Sequence, residues 1–303
     1  MTDGPGVIGE RDRIVVFGDV IDDIIATPTG PIRSDTDTPS SIERRAGGSA
    51  ANMASWLARA GAAVDFVGRV GVMDLERHSR ILQDAGVRPM LAADHVLPTG
   101  TIVIIVDGDR RSMLTERGAN AALEPDAVSD STLDGARVLH FTGYSLFGRD
   151  DLTGFRRLIK RAKSRGVQVS VDAGSSGFLE DFGPARFLGA IAGASILFPN
   201  LDEGRVLTGM DDPAAIVAKL AKAFPVVALT LGADGIVVSG DHGASILVEA
   251  TSTETVDPTG AGDAFCAGFL HEWTASGDRR AAAEAGSKLA AEAVETVGGR
   301  PAL

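Results

Sequence analysis

Short apolar, β-branched runs recur along the chain, at residues 14–17, 64–67, 101–106, 137–141, 167–171, 196–198, 226–230, 236–238 and 245–248. Several are nearly all apolar rather than alternating, the pattern of strands covered on both faces. Between them lie stretches with helical spacing that stop at a glycine: 50–60 before Gly61, 75–85 before Gly86 and 151–165 before Gly166. A glycine just past the last turn supplies the left-handed residue that a helix end uses. Strand and helix alternating through short links predict parallel βαβ units and hence an α/β fold.

One region breaks the rhythm. Residues 24–45 carry three prolines and several Asp, Ser and Thr, and a second pair of runs, 101–106 and 111–115, is joined by Asp107-Gly108-Asp109-Arg110. The Asp-Gly pair is a hairpin signal. These pieces are expected to pair into a small β-sheet lid built from about 24–45 and 97–116, standing off the main sheet over its active edge. No repeat or linker divides the rest, so 13–303 is read as a single domain and 1–12 as a disordered tail.

Composition narrows the function. The 303 residues carry 29 Lys and Arg against 41 Asp and Glu, a net charge of −12, which argues against a nucleic-acid partner. No apolar run approaches the roughly 20 residues that a membrane helix needs. The start of the chain does not read as a signal peptide, and a single cysteine, Cys266, fits a reducing cytoplasm. A soluble cytoplasmic enzyme with a small-molecule substrate is the class that remains.

Several motifs are excluded. Gly4-Pro-Gly6-Val-Ile-Gly9 has the spacing of a dinucleotide fingerprint but precedes the first strand instead of following it. No phosphate-binding P-loop or serine-nucleophile elbow occurs, and His78, His95, His140, His242 and His271 lack metal-ligand spacing.

Five strings carry chemistry. Asp257-Pro258-Thr259-Gly260-Ala261-Gly262-Asp263-Ala264-Phe265 leads into a helix expected from Ala264 to about Ala275. Its glycines let N–H groups converge at a helix start, an anion hole for a phosphoryl group, with the Asp263 carboxylate beside it as general base. Gly47-Gly48-Ser49-Ala50-Ala51-Asn52 is a second loop-to-helix turn, where a ligand can touch backbone and Asn52 offers donor and acceptor to hydroxyls. Gly18-Asp19-Val20-Ile21-Asp22-Asp23 places three carboxylates at the carboxyl end of a buried strand, where open α/β sheets bind ligands; a solvated turn is the plain alternative. Pro199-Asn200-Leu201-Asp202-Glu203 reads either as a site for hydrated Mg²⁺ and phosphate or as a helix-capping pattern. Thr230-Leu231-Gly232-Ala233-Asp234-Gly235 leaves bare backbone for a nucleotide.

In this order the five strings resemble the ribokinase-like (phosphofructokinase B) family of sugar kinases, from about Arg13 to Gly299. The resemblance implies a three-layer α/β/α Rossmann-like domain with a β-sheet lid, and ATP-dependent phosphorylation of a hydroxymethyl group with Mg²⁺. By position it makes Asp263 the base and Gly260, Ala261 and Gly262 the anion hole. Asn200 and Glu203 match the motif for phosphate and water-bound Mg²⁺, and Thr230, Gly232 and Gly235 the nucleotide loop. Asp23, Gly47, Gly48 and Asn52 match contacts to substrate hydroxyls. Relatives often bind a monovalent cation beside the anion hole; Asp257 and Val297-Gly298-Gly299 hold the matching places, which implies K⁺.

Departures bear on the substrate. Val72-Met73-Asp74 stands where the family often has an acidic pair, and Ser287 stands near the adenine position in place of Asn. His140-Phe141-Thr142-Gly143-Tyr144 replaces the Gln and Glu of ribokinases proper, which speaks against free ribose and for a general sugar, ketodeoxygluconate or nucleoside kinase. Tyr144 is either a ring-stacking residue or a core or rim tyrosine. The expected activity is therefore that of a sugar kinase, with a nucleoside kinase of pseudouridine or adenosine type, or a non-catalytic sugar or nucleotide sensor, as alternatives. The edge of a lid sheet would also suit a homodimer.

Overall fold

The computed structural model describes residues 13–108, 110–240 and 244–302. The tail 1–12 with its glycine string, Asp109 and His242 lie outside the described residues.

In chain order the elements are β1 (Arg13–Phe17), β2 (Ile21–Pro28), β3 (Ser40–Gly47), α1 (Ser49–Arg59), β4 (Val64–Gly71), α2 (Leu75–Asp84), β5 (Arg88–Asp94), β6 (Gly100–Asp107), β7 (Arg110–Glu116), α3 (Asp130–Leu133), β8 (Ala136–Thr142) and α4 (Thr153–Ser164). They continue with β9 (Gln168–Asp172), α5 (Ser176–Phe182), α6 (Pro184–Ala190), β10 (Ile196–Phe198), α7 (Leu201–Thr208), α8 (Pro213–Leu220), β11 (Val226–Thr230), β12 (Ile236–Ser239), β13 (Ser245–Val248), α9 (Ala261–Ser276) and α10 (Arg279–Val294).

Among the described residues nine strands form one sheet in the order β13-β12-β11-β10-β9-β8-β1-β4-β5. The pairs from β5 to β11 are parallel, and β12 and β13 join antiparallel at one edge. The alternation within β1 shows why there are three layers. Val15 and Phe17 enter a core with Phe155 and Leu158 of α4, Leu179 of α5, Phe187 of α6 and Ile216 of α8. Ile14 and Val16 enter the opposite core with Met53 and Leu57 of α1, Leu82 of α2, Phe269 of α9 and Ala282 of α10. Successive residues point to opposite faces, so a fully apolar strand needs helices on both.

The second sheet runs β3-β2-β6-β7. Its strands extend beyond the expected stretches, starting at Ile21 and reaching Gly47, so the acidic turn after β1 feeds straight into it. Strand β5 went unread because Pro89 interrupts an alternating, half-exposed run; proline is tolerated there because β5 is an edge. No helix among the described residues is long and apolar enough to cross a membrane.

Candidate active site

The motifs meet at the amino end of α9. Gly260 stands there in the left-handed conformation (φ 81°), and a Cβ on it would lie 2.6 Å from Gly299 O. The helix starts at Ala261, ahead of the expected Ala264, because the left-handed Gly260 is its N-cap residue and its carbonyl already accepts the first helical bond. Ala261, Gly262 and Asp263 thus form its first turn, where N–H groups precede the first regular bond, Ala264 N to Gly260 O at 2.9 Å. A Cβ at Gly262 would meet nothing within 4 Å, so the space over this turn is open to an anion.

The Asp263 carboxylate faces α1. Ser49 Oγ donates to Oδ1 at 2.6 Å and Asn52 Nδ2 donates to Oδ2 at 3.1 Å. Burial pushes this carboxyl well above the usual range, and the two hydrogen bonds oppose that shift. Asn52 is itself buried and its Oδ1 accepts from Arg300 Nε at 3.1 Å, so the structure turns the amide nitrogen onto the Asp263 carboxylate. The tight turn before α1 needs its glycines: a Cβ on Gly47 would sit 2.0 Å from Asp23 Oδ2, and one on Gly48 (φ 95°) would sit 2.6 Å from Asp19 O.

The three carboxylates after β1 have three different fates. Asp19 accepts from Ser49 N and Ala50 N at 3.0 and 3.1 Å and so holds the start of α1. Asp22 is tied to Arg77 and Arg44 at 2.6 Å; against burial, His78 and these arginines hold it well below the usual range. Asp23 lines a cavity of about 400 Å³ beneath the small sheet. Burial raises it to about 6, with Arg300 pulling the other way.

Asn200 and Glu203 form a full capping box: Glu203 N donates to Asn200 Oδ1 at 2.9 Å, and Asn200 N to Glu203 Oε2 at 2.8 Å. Glu203 also lines a second cavity, about 190 Å³, together with Asp263, Asp172 and Tyr144. Burial and then the Asp172 charge push Glu203 up to about 8, and burial pushes Asp172 up to about 6. Asp172 went unnoticed in the sequence, although it ends buried strand β9 as Asp19 follows β1; the same edge rule would have found it. Asp172 Oδ1 accepts from Gly174 N at 2.7 Å, and Cys266 Sγ donates to Oδ2 at 3.5 Å. Tyr144 packs edge-to-face on Phe147 and Phe178, each 5.9 Å between ring centres, and burial keeps its phenol neutral.

A third cavity, about 460 Å³, adjoins the first turn of α9 on its other side and holds Thr230, Gly232, Gly235 and Ser287. A Cβ on Gly235 (φ 96°) would strike Val248 O at 2.2 Å. Ser287 Oγ accepts from Thr251 N at 2.7 Å and donates to Thr251 Oγ1 at 3.2 Å, which fixes that wall.

Three arginines absent from the sequence reading also enter the site, Arg45, Arg111 and Arg300, all lining the cavity beneath the small sheet. Arg111 Nη1 donates to Asp257 Oδ1 at 2.9 Å. Arg300 Nη2 donates to Gly47 O at 2.7 Å. Burial lowers Arg300 to about 10, still cationic at neutral pH.

The chain is 28% identical over 254 residues to an uncharacterized sugar kinase of Archaeoglobus fulgidus, across 82% of this chain and 97% of that one. It is 32% identical over 245 residues to an ATP-dependent ribose-1-phosphate kinase of Halopiger xanaduensis, across 78% and 76%. The solved adenosine kinase of Sinorhizobium meliloti superposes with a TM-score of 0.85 at 25% identity, covering 97% of each chain. The pfkB family carbohydrate kinase profile matches residues 11–303, and the chain belongs to that family.

Proposed function

We propose that this sugar or nucleoside kinase transfers the γ-phosphoryl group of ATP to a hydroxymethyl group of a sugar, with Asp263 as the general base. The observation that carries this reading is the placement of Asp263 in the first turn of α9, which lines the second and third cavities, while Asp257 and Thr259 just ahead of it line the first.

ATP supplies the phosphoryl group, and Mg²⁺ compensates its charge. The backbone at Gly232 and Gly235, facing Ala290 and Ala291 of α10, gives a flat bed for a base ring. The N–H groups of the Gly260–Gly262 turn donate to phosphoryl oxygens and grow in effect as charge builds on them. Asp263, oriented by Ser49 and Asn52, takes the proton of the attacking hydroxyl. Asp23 accepts hydrogen bonds from the other hydroxyls, and the small sheet acts as the lid that excludes water. Among the described residues no cluster of three or more His, Cys, Asp or Glu is arranged to cage a metal. The residues fit Mg²⁺ in another way: Asp172 and Glu203 are buried acids that raise each other's cost of ionisation, and a hydrated ion brought by phosphates needs only one or two carboxylates.

The likeness to an adenosine kinase favours a nucleoside as the second reading. Against it, the roughly 400 Å³ cavity beside Asp23 is lined by no aromatic side chain on which a base would stack. A non-catalytic sensor would have no use for a buried carboxylate held between two donors at an anion hole. We place the protein in the cytoplasm, with its one cysteine a buried free thiol. We also take it as a homodimer through the outer lid face, where Ile42 and Leu114 are exposed. An ADP-release screen across sugars and nucleosides tests the reading: turnover of a sugar that exceeds turnover of every nucleoside supports it, and the reverse order replaces it.

A further inference from the structure

At the places that the family resemblance gives to a monovalent cation, both Asp257 oxygens and the carbonyls of Val297 and Gly299 already accept from donors. Potassium is held by a shell of carbonyl and carboxylate oxygens that replaces its water. Here Asp257 Oδ1 accepts from Arg111 Nη1 at 2.9 Å and from Thr259 N and Oγ1 at 3.0 and 2.7 Å, while Oδ2 accepts from Gly298 N at 3.0 Å. Val297 O accepts from Arg45 Nη1 at 2.7 Å, and Gly299 O from Trp56 Nε1 at 2.9 Å. These residues therefore do not fit a potassium ion.

Two of those donors are guanidinium groups, and both come from the lid: Arg45 on β3 and Arg111 on β7. The strand register puts Arg45 opposite Asp23 and Arg111 opposite Val106, all facing the cavity beneath the sheet. Arg111 Nη1 also donates to Thr259 Oγ1 at 2.7 Å, next to the anion-hole turn. The 297–299 loop that Arg45 holds packs on that turn, since a Cβ on Gly260 would lie 2.6 Å from Gly299 O. A planar, permanently charged guanidinium suits a fixed carboxylate better than a mobile ion does.

The geometry points to Arg111, assisted by Arg45, as a built-in countercharge that keeps the anion-hole turn in place. On this inference the enzyme needs no potassium, and phosphate binding is tied to the docking of the lid. It rests on the kinase reading above. Arg111 acts through Asp257 and Thr259, so it is a positioning residue.

The test measures MgATP affinity by calorimetry and the melting temperature of the full chain, in KCl and in tetramethylammonium chloride at equal ionic strength. The wild-type protein is expected to give the same Kd and Tm in both salts. Arg111→Ala is expected to keep its fold and weaken MgATP by about tenfold. Arg111→Lys, which keeps charge without the fork, is expected to lose less. If the alanine variant does not fold, Arg111→Met is compared with Arg111→Lys, and equal affinity of those two overturns the inference. A wild-type Kd or Tm that improves specifically with potassium overturns it, as does full MgATP affinity in Arg111→Ala. If the wild-type protein binds no MgATP in either salt, the kinase reading fails instead, and the melting comparison still decides the potassium question.

Discussion

Ser49 Oγ donates to Asp263 Oδ1 at 2.6 Å, joining the first turn of α1 to the first turn of α9 across 214 positions of sequence. The bond favours the charged carboxylate, opposing the burial that raises it. As the proposed base, Asp263 must be unprotonated to accept a proton, so activity is expected to rise with pH through its pKa. Ser49→Ala removes a donor to the charged form, and the acidic limb of the kcat/KM profile is expected to move to higher pH, with kcat about tenfold lower at pH 7. An unmoved limb would show that the bond does not tune the base.

Replacing Asp263, the proposed base, is the harsher experiment. Asp263→Asn keeps the size and both neighbouring contacts in reach but removes the proton acceptor. Turnover is expected to fall by about 10²–10⁴ while MgATP affinity stays within about twofold. Calorimetry beside steady-state rates reads both numbers.

Asp172, in the proposed Mg²⁺ site, is expected to trade stability for function. Its pKa is raised to about 6 in the folded protein by burial, so the charged form strains the fold. The sign follows: stability falls as pH rises from the unfolded value near 4 through the folded value, and stays lowered above it. Asp172→Asn is expected to raise the Tm of the nucleotide-free protein at pH 8, to give little change at pH 4, and to slow turnover. Thermal melts at the two pH values check it.

Asp22 works in the opposite direction. Its folded pKa is depressed by His78, Arg77 and Arg44, so its contribution is present above the unfolded carboxyl value and is lost as pH falls below it. Asp22→Asn is expected to cost about 1–3 kcal/mol at pH 7, less than a wholly buried pair because Arg44 is open to water. Urea titration at pH 7 measures the loss.

The legible parts of this protein were those with local signatures. The apolar runs of β1, β4 and β8 to β12 announce strands because the strands are covered on both faces, and Gly47, Gly48 and Gly260 announce turns where a side chain would clash. Arg300 and Arg111 had no such signature. Their partners, Asn52 and Asp257, lie 248 and 146 residues away, and nothing near either arginine marks the meeting. Asn200 and Glu203 show a different limit: the capping box is visible in the sequence and present, yet the same Glu203 lines the carboxylate cavity, so a local pattern matched without exhausting the residue.

The small sheet consists of two antiparallel hairpins zipped together by the parallel pairing of β2 with β6, from Ile21 opposite Gly100 to Ala26 opposite Ile105. Parallel neighbours need a crossover, and here the chain between β2 and β6 comprises β3, α1, β4, α2 and β5. The cost of closing so long a loop must be met before that zipper forms. The small sheet is therefore expected to zip up only after the crossover has folded onto the central sheet and brought the two hairpins together.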